Sequence, residues 1–198
     1  MRRFLVILSI VLLSGSCKSI NEPLKQVVFY GDSHVRNWDL DYWFPYNYNI
    51  NNGIPGYKAV DLINDIDETD SPEIRVVWIG INDIIQLSQV YDRQTTIDSL
   101  LDSFALLSVH LDPDDILISV CPVTETFDNL YNQSLNSIVS EVNTGLKILC
   151  SSNNLEFVDF SRLLVSGDVL KEEYTQDGLH LNNRGYGIIS KRLRSSIY

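Results

Sequence analysis

The chain has 198 residues, of which 44% are hydrophobic and 21% charged, and its formal charge is −11. That hydrophobic content excludes a mainly disordered chain, and the lack of a long apolar run excludes a multi-span membrane protein. The acid excess excludes sequence-independent nucleic-acid binding and electrostatic docking on anionic lipid, both of which need many Lys or Arg.

At the N-terminus, Arg2 and Arg3 precede the apolar run Phe4 to Leu13, broken only by Ser9. A run this short cannot cross a hydrocarbon core, which takes about 20 residues, but it matches the apolar region of an export signal. Leu13-Ser14-Gly15-Ser16-Cys17 resembles a bacterial lipoprotein signal, in which small residues precede the cysteine that is acylated and becomes the new N-terminus. Ser14 departs from the common pattern, which has leucine or a similar residue there. The expectation is a signal peptide over 1–16, a lipid on Cys17, a polar tether over 17–25 and a lipid-anchored protein of the bacterial cell envelope. Plain secretion and a buried N-terminal helix are the alternatives. Cleavage before Cys17 removes two arginines and no acid, taking the charge from −11 to −13. Membrane contact would then come from the lipid and not from the protein surface.

From residue 26 onward the punctuation is regular. Gln26 to Tyr30, Ile74 to Ile79, Ile116 to Cys121 and Leu155 to Phe160 are short β-branched and aromatic runs, and the first three are stopped by Gly31, Gly80 and Pro122. A weaker strand is expected over Tyr48 to Asn51. Helical patterns cover Tyr57 to Asp67, Thr95 to Leu111, Leu130 to Cys150 and Asn183 to Ser196. Ile97, Leu100, Leu101, Phe104 and Leu107 form one apolar stripe on the second of these. Alternation of near-continuous apolar strands with helices predicts a parallel sheet covered on both faces, a three-layer α/β sandwich in one domain over 26–198. Cys121 closes a strand and Cys150 ends the helix after it, which puts them at opposite ends of the sheet as buried free thiols rather than a disulfide.

In such sheets ligands sit beyond the carboxyl ends of the strands. The segments there are Gly31-Asp32-Ser33-His34, Asn51-Asn52-Gly53-Ile54-Pro55-Gly56, Gly80-Ile81-Asn82-Asp83 and, before the last helix, Asp177-Gly178-Leu179-His180. Together they hold the parts of a nucleophilic hydrolase. A serine hydroxyl needs an adjacent base, here His180, and an Asp three residues earlier can fix the imidazole tautomer from Nδ1. The oxyanion of a tetrahedral intermediate needs aimed donors, for which the candidates are the Ser33 and Gly53 N–H groups and the Asn82 amide.

These four segments resemble blocks I, II, III and V of the SGNH hydrolases, the GDSL esterase/lipase superfamily. Gly31-Asp32-Ser33 matches G-D-S, Gly53-Ile54-Pro55-Gly56 resembles G-I-x-G, Gly80-Ile81-Asn82-Asp83 matches G-x-N-D, and Asp177 with His180 matches D-x-x-H. Each motif alone is a common turn or cap; four in order are specific. The resemblance implies a flavodoxin-like five-stranded parallel sheet and ester hydrolysis without metal or cofactor. It also implies Ser33 as nucleophile, His180 as base, Asp177 as its partner, and Gly53 and Asn82 as oxyanion donors. His34 stands where many members carry Leu or Ile and reads as a solvated loop histidine; His110 reads as surface. The clusters Asp65-Ile66-Asp67-Glu68 and Asp112-Pro113-Asp114-Asp115 read as solvated turns away from the cleft. There is no G-x-S-x-G elbow, and no zinc or dinucleotide motif of the common kinds.

The aromatic run Tyr42 to Tyr48 lies between Ser33 and Gly53, either rimming the cleft or, as the default expectation, buried between the first two strands. The short connections between motifs leave little material for a lid, which points to a small acyl group on a carbohydrate or lipid. The alternative is a non-catalytic surface lipoprotein that binds glycan or protein with the same fold.

Overall fold

The computed structural model describes residues 24–66 and 74–198. The expected signal peptide, Cys17, Asp67 and Glu68 lie outside the described residues. Strand β1 (Lys25–Gly31) leads into the short helix α1 (Ser33–Arg36), and α2 (Leu40–Trp43) leads into β2 (Asn47–Gly53). Helix α3 (Ala59–Asp65) precedes β3 (Ile74–Trp78), which is followed by α4 (Ile81–Leu87) and the long α5 (Arg93–Ser108). After β4 (Ile116–Ile118) come α6 (Glu125–Asp128), α7 (Leu135–Asn153), β5 (Glu156–Val158) and α8 (Ser161–Leu164). A small antiparallel hairpin, β6 (Val165–Ser166) with β7 (Val169–Leu170), precedes the C-terminal α9 (Asn183–Ile197).

The five main strands are all parallel in the order β2-β1-β3-β4-β5, so the three-layer α/β sandwich is as the alternation predicts. Successive side chains of a strand point to opposite faces, and the core divides accordingly. Val28, Tyr30, Val77 and Leu117 pack with Leu62 of α3, Leu100 and Phe104 of α5, and Val142 and Leu146 of α7. Val27, Phe29, Val76, Trp78 and Ile116 pack on the other face with Trp38, Phe44, and Ile189 and Leu193 of α9.

Caps set the helix ends. Asp92 accepts from Thr95 N–H and starts α5 two residues before the expected Thr95. Ser134 caps α7, which runs to Asn153 and stops where Asn154 takes φ 58. Helix α4 and the β6–β7 hairpin have no counterpart among the expected elements, because each is too short to show a period.

Three expectations about burial are corrected. Asp115 is 2% exposed, not solvated: its carboxylate accepts from Arg75 N–H at 2.6 Å and from the Arg75 guanidinium at 3.1 Å. Within the aromatic run only Phe44 is fully in the core, while Tyr42, Tyr46 and Tyr48 are exposed. The run sits beside an edge strand, where one face of each side-chain pair has nothing to pack on, and Tyr46 meets Tyr198 instead of the cleft. His34 is 1% exposed, and its surroundings belong to the site below. Cys121 and Cys150 are both buried and free, and burial pushes the Cys150 thiol up to about 11.

Candidate active site

The register of the sheet brings three of the four motifs level. Gly31 pairs with Gly53 on one side and with Trp78 on the other, so β1, β2 and β3 end together at the carboxyl edge. Ser33 begins α1 directly beyond that edge. Its helix is held by Asp32, whose Oδ1 accepts from His34 N–H at 2.8 Å. Beneath α1 lies an aromatic floor in which Phe29, Trp38, Phe44 and Trp78 meet at ring distances of 5.4 to 5.6 Å. Such contacts add about 0.5–1.5 kcal/mol each beyond area burial and make a stiff base for the serine. Trp38 Nε1 donates to Ser190 Oγ of α9 at 3.0 Å, and Tyr186 Oη donates to the His34 carbonyl at 2.7 Å, which tie α1 to the C-terminal helix.

The loop before α9 is shaped by its own polar side chains. Thr175 Oγ1 donates to the His180 carbonyl and accepts from Gly178 N–H, while Asp177 Oδ1 accepts from Leu179 N–H and His180 N–H at 3.0 and 2.7 Å. This Asx-turn leaves Asp177 Oδ2 for His180 Nδ1 at 2.7 Å, and His180 Nε2 stands 2.9 Å from Ser33 Oγ. Ser33, His180 and Asp177, predicted from three separated positions, are thus in one hydrogen-bonded line. Partial burial works against the Asp177 charge, but His180 and the two loop N–H groups outweigh it and hold the carboxyl below its ordinary range.

The expected oxyanion donors divide. The Ser33 N–H makes no hydrogen bond to another described residue. Asn82 follows β3 on α4, and its Nδ2 donates to the Tyr57 carbonyl at 3.0 Å and, over a longer 3.4 Å, to Asp32 Oδ2. The Gly53 N–H, by contrast, donates to Asn51 Oδ1 at 3.0 Å, so it is already committed within its own strand end. Glycine is required at 53 for a different reason than ligand approach. A Cβ there would lie 2.2 Å from Arg36 N and 2.8 Å from Arg36 Cα, because β2 runs against the backbone at the end of α1. Asn51 Nδ2 completes this junction by donating to the Val35 carbonyl at 2.8 Å.

Directly after Gly53, Ile54 to Tyr57 form a turn closed by Tyr57 N–H on the Ile54 carbonyl at 3.1 Å, with Pro55 and then Gly56 at φ 83. That is the type II pattern, whose third position takes positive φ and so favours glycine. Gly56 N–H has no partner among the described residues, and the turn is fixed to Asn82 through the Tyr57 carbonyl. The sequence signal was the Pro-Gly pair itself. An open pocket of about 370 Å³ beside the end of β2 is lined by Tyr30, Arg36, Gly53, Ile54, Tyr57 and Leu62, with none of Ser33, Asp177 and His180 in its wall. A polar hollow of about 420 Å³ lies elsewhere, between α7 and the segment around α8, and contains neither Ser33 nor His180. No group of three His, Cys, Asp or Glu side chains among the described residues is arranged to hold a metal ion.

His34 and His110 complete the histidines. His110 is half-buried after α5, at the amino end of the sheet. His34 is enclosed between α1, the 177–180 loop and Trp78, its ring 4.8 Å from the indole and 5.8 Å from the His180 ring.

Comparisons with known proteins agree with this geometry. A search of curated protein sequences returned no match. Among solved structures, a protein from Streptococcus pneumonia named for platelet activating factor is 28% identical with a TM-score of 0.74, covering 92% of this chain and 87% of its own. A GDSL-like lipase from Bacteroides thetaiotaomicron is 24% identical with a TM-score of 0.70, covering 87% of each chain. An acetyl-xylooligosaccharide esterase from Geobacillus Stearmophilus is 17% identical with a TM-score of 0.66, covering 88% of this chain and 94% of its own. The family description GDSL-like Lipase/Acylhydrolase matches residues 29–188, from the middle of β1 into α9, a span that includes all four motifs at the carboxyl edge. The chain therefore belongs to the GDSL-like lipase/acylhydrolase family of SGNH hydrolases.

Proposed function

We propose that the protein is a serine esterase that removes a short acyl group from a carbohydrate or lipid ester through an acyl-enzyme on Ser33. One observation carries the reading: the hydrogen-bonded line from Ser33 Oγ through both ring nitrogens of His180 to Asp177 Oδ2. The Ser33 hydroxyl donates to His180 Nε2, and His180 Nδ1–H donates to Asp177, which keeps Nε2 a free base facing the nucleophile. As Oγ bonds to the ester carbonyl carbon, its proton passes to Nε2. The tetrahedral intermediate then expels the alcohol, which takes that proton, and leaves the acyl group on Ser33. Water attacks the acyl-enzyme with His180 again as base, releasing the acid.

The oxyanion donors in this proposal are the Ser33 N–H, the Gly56 N–H in place of the Gly53 N–H that is spent on Asn51, and the Asn82 amide, which turns one hydrogen from its long 3.4 Å contact with Asp32 to the oxyanion. Each such donor is worth about 3–4 kcal/mol of transition-state stabilisation. Support for a short acyl group comes from the short connections between the motifs, which leave little material for a lid among the described residues. Export and anchoring through Cys17 are part of the same proposal, supported by Arg2-Arg3 and the Phe4–Leu13 run.

A fluorophosphonate probe tests the chemistry. One covalent adduct is expected on Ser33 and none in Ser33→Ala, and p-nitrophenyl acetate should be turned over faster than the octanoate. A folded protein that takes no adduct overturns the esterase reading in favour of a binding module.

A further inference from the structure

His34 is buried at 1% exposure beside the serine, yet both of its ring nitrogens face acceptors. Nδ1 lies 3.2 Å from Asp32 Oδ1, and Nε2 lies 3.1 Å from the Leu179 carbonyl oxygen. A neutral imidazole donates from one nitrogen only, so either tautomer would aim a lone pair at an oxygen inside the core. Asp32 offers no proton to resolve this. Its Oδ1 also accepts from His34 N–H at 2.8 Å, and its Oδ2 faces the Asn82 amide at 3.4 Å, so the carboxylate is surrounded by donors. The arrangement is satisfied only if both nitrogens donate.

We propose that His34 is a buried imidazolium whose two N–H groups clamp the Asp32 carboxylate to the Leu179 carbonyl, fixing the helix that bears Ser33 against the loop that bears His180. The proposal rests on the esterase reading for its functional consequence, though not for its geometry. Leu179 is the residue immediately before His180, so the second contact reaches directly into the base's own backbone. The first reaches Asp32, the cap of α1 and a neighbour of Asn82. His34 is thus a positioning residue with a hold on the nucleophile, the base and one oxyanion donor.

The titratable groups around it agree. Asp32 faces it from the end of β1, Cys121 from the segment after β4, His180 from the 177–180 loop and Tyr186 from α9. Burial is the largest single influence and lowers its proton affinity, but Asp32 and then Cys121 outweigh it and push the ring up to about 10. Trp78 closes the remaining side with an apolar surface. That upward direction matches a ring that donates from both nitrogens.

Nitrogen-15 NMR of the histidine-labelled protein reads the charge directly, and with three histidines in the chain a His34 variant assigns the signal. At pH 8 both His34 ring nitrogens should carry protons. A neutral His34 ring at that pH overturns the proposal. The positioning role is read from kinetics on p-nitrophenyl acetate. His34→Leu should lower kcat about 10²-fold with KM within about threefold, as expected for a displaced but intact site. His34→Gln, which keeps one donor at similar volume, should recover part of that loss and stands in for the Leu variant if the latter does not fold. Wild-type kcat in His34→Gln and His34→Leu alike overturns the positioning role even if the ring is charged. Fluorophosphonate labelling of the wild-type protein separates the two readings: no adduct on Ser33 counts against the esterase, whichever way the His34 signals fall.

Discussion

Asp83 ends the third motif with its carboxylate 4% exposed, both oxygens accepting from the Ala59 N–H at 3.2 and 3.1 Å across the gap between α4 and α3. Burial pushes its carboxyl up to about 7, against the pull of those N–H contacts and with help from the nearby Asp32 charge. A carboxyl raised in the folded state holds a proton that the unfolded chain has already lost. Its contribution to stability is therefore complete below the ordinary Asp range near 4 and disappears as pH rises to about 7. Asp83→Asn, which keeps one carbonyl oxygen for Ala59, should match the wild-type protein at pH 4 and exceed it at pH 8, by up to about 4 kcal/mol. Urea denaturation at the two pH values measures this, and equal stability at pH 8 would contradict it. Single residues of this kind are where the sequence was least legible. Asp114 and Asp115 are adjacent and chemically identical, yet one is exposed and the other is buried on Arg75, forty residues earlier in the chain. His34 was unreadable for the same reason, since its burial depends on Leu179, Trp78 and Tyr186, none of them local. Ser33, Asp177 and His180 were readable because their chemistry restricts the residue types, whatever the packing around them.

At the level of elements, β1, β3 and β4 were legible because each is a nearly continuous apolar run stopped by Gly or Pro, the look of a buried parallel strand, whereas β5 lacks the stop and the Asn-rich edge strand β2 gave only a weak signal. Helix boundaries slipped by two to five residues where a polar cap set the start: Asp92 lies ahead of the apolar pattern that located α5, and Ser134 lies within the pattern that located α7 and starts the helix five residues late. The second motif was legible as a glycine-bearing turn, but the division of labour between its glycines was not. Gly53 serves the packing of β2 on α1, while Gly56 supplies the left-handed residue of the Ile54–Tyr57 turn beside Asn82. The two substitutions should separate accordingly. Gly53→Ala forces a Cβ into the Arg36 backbone and should cost about 1–3 kcal/mol of stability, seen as a lower Tm. Gly56→Ala meets nothing within 4 Å but strains φ 83, costing about 1–2 kcal/mol, and relief of the strain rotates the Pro55–Gly56 peptide and its N–H. Its Tm should fall by a few degrees as well, but its kcat should fall at least about tenfold, a loss that Gly53→Ala should not share. Wild-type kcat in Gly56→Ala removes Gly56 from the oxyanion donors.

For the whole molecule, the direction of β1 links the two ends of the proposal. The seven-residue strand enters the sheet at Lys25, rises about 20 Å from the amino to the carboxyl edge, and delivers the chain to Ser33 two residues past its end. A lipid on Cys17 would hold the protein by the amino edge, and Ser33, His180 and Asn82 all lie at the other. The acidic chain adds no attraction of its own to an anionic membrane, so the anchor would set location and leave the site facing the aqueous side. Attachment and catalysis should then be separable. In a bacterial host, the wild-type protein is expected in the membrane fraction with a diacylglyceryl group on Cys17 by mass spectrometry, and Cys17→Ser is expected in the soluble fraction or uncleaved. Purified in detergent and in its absence respectively, the two should hydrolyse p-nitrophenyl acetate with kcat/KM within about twofold, because the residue changed lies a full strand away from the serine. Unchanged fractionation of Cys17→Ser would remove the lipid anchor. A collapse of its kcat/KM with the fold intact would mean instead that the amino edge takes part in catalysis, which the parallel register of β1, β2 and β3 gives no means to do.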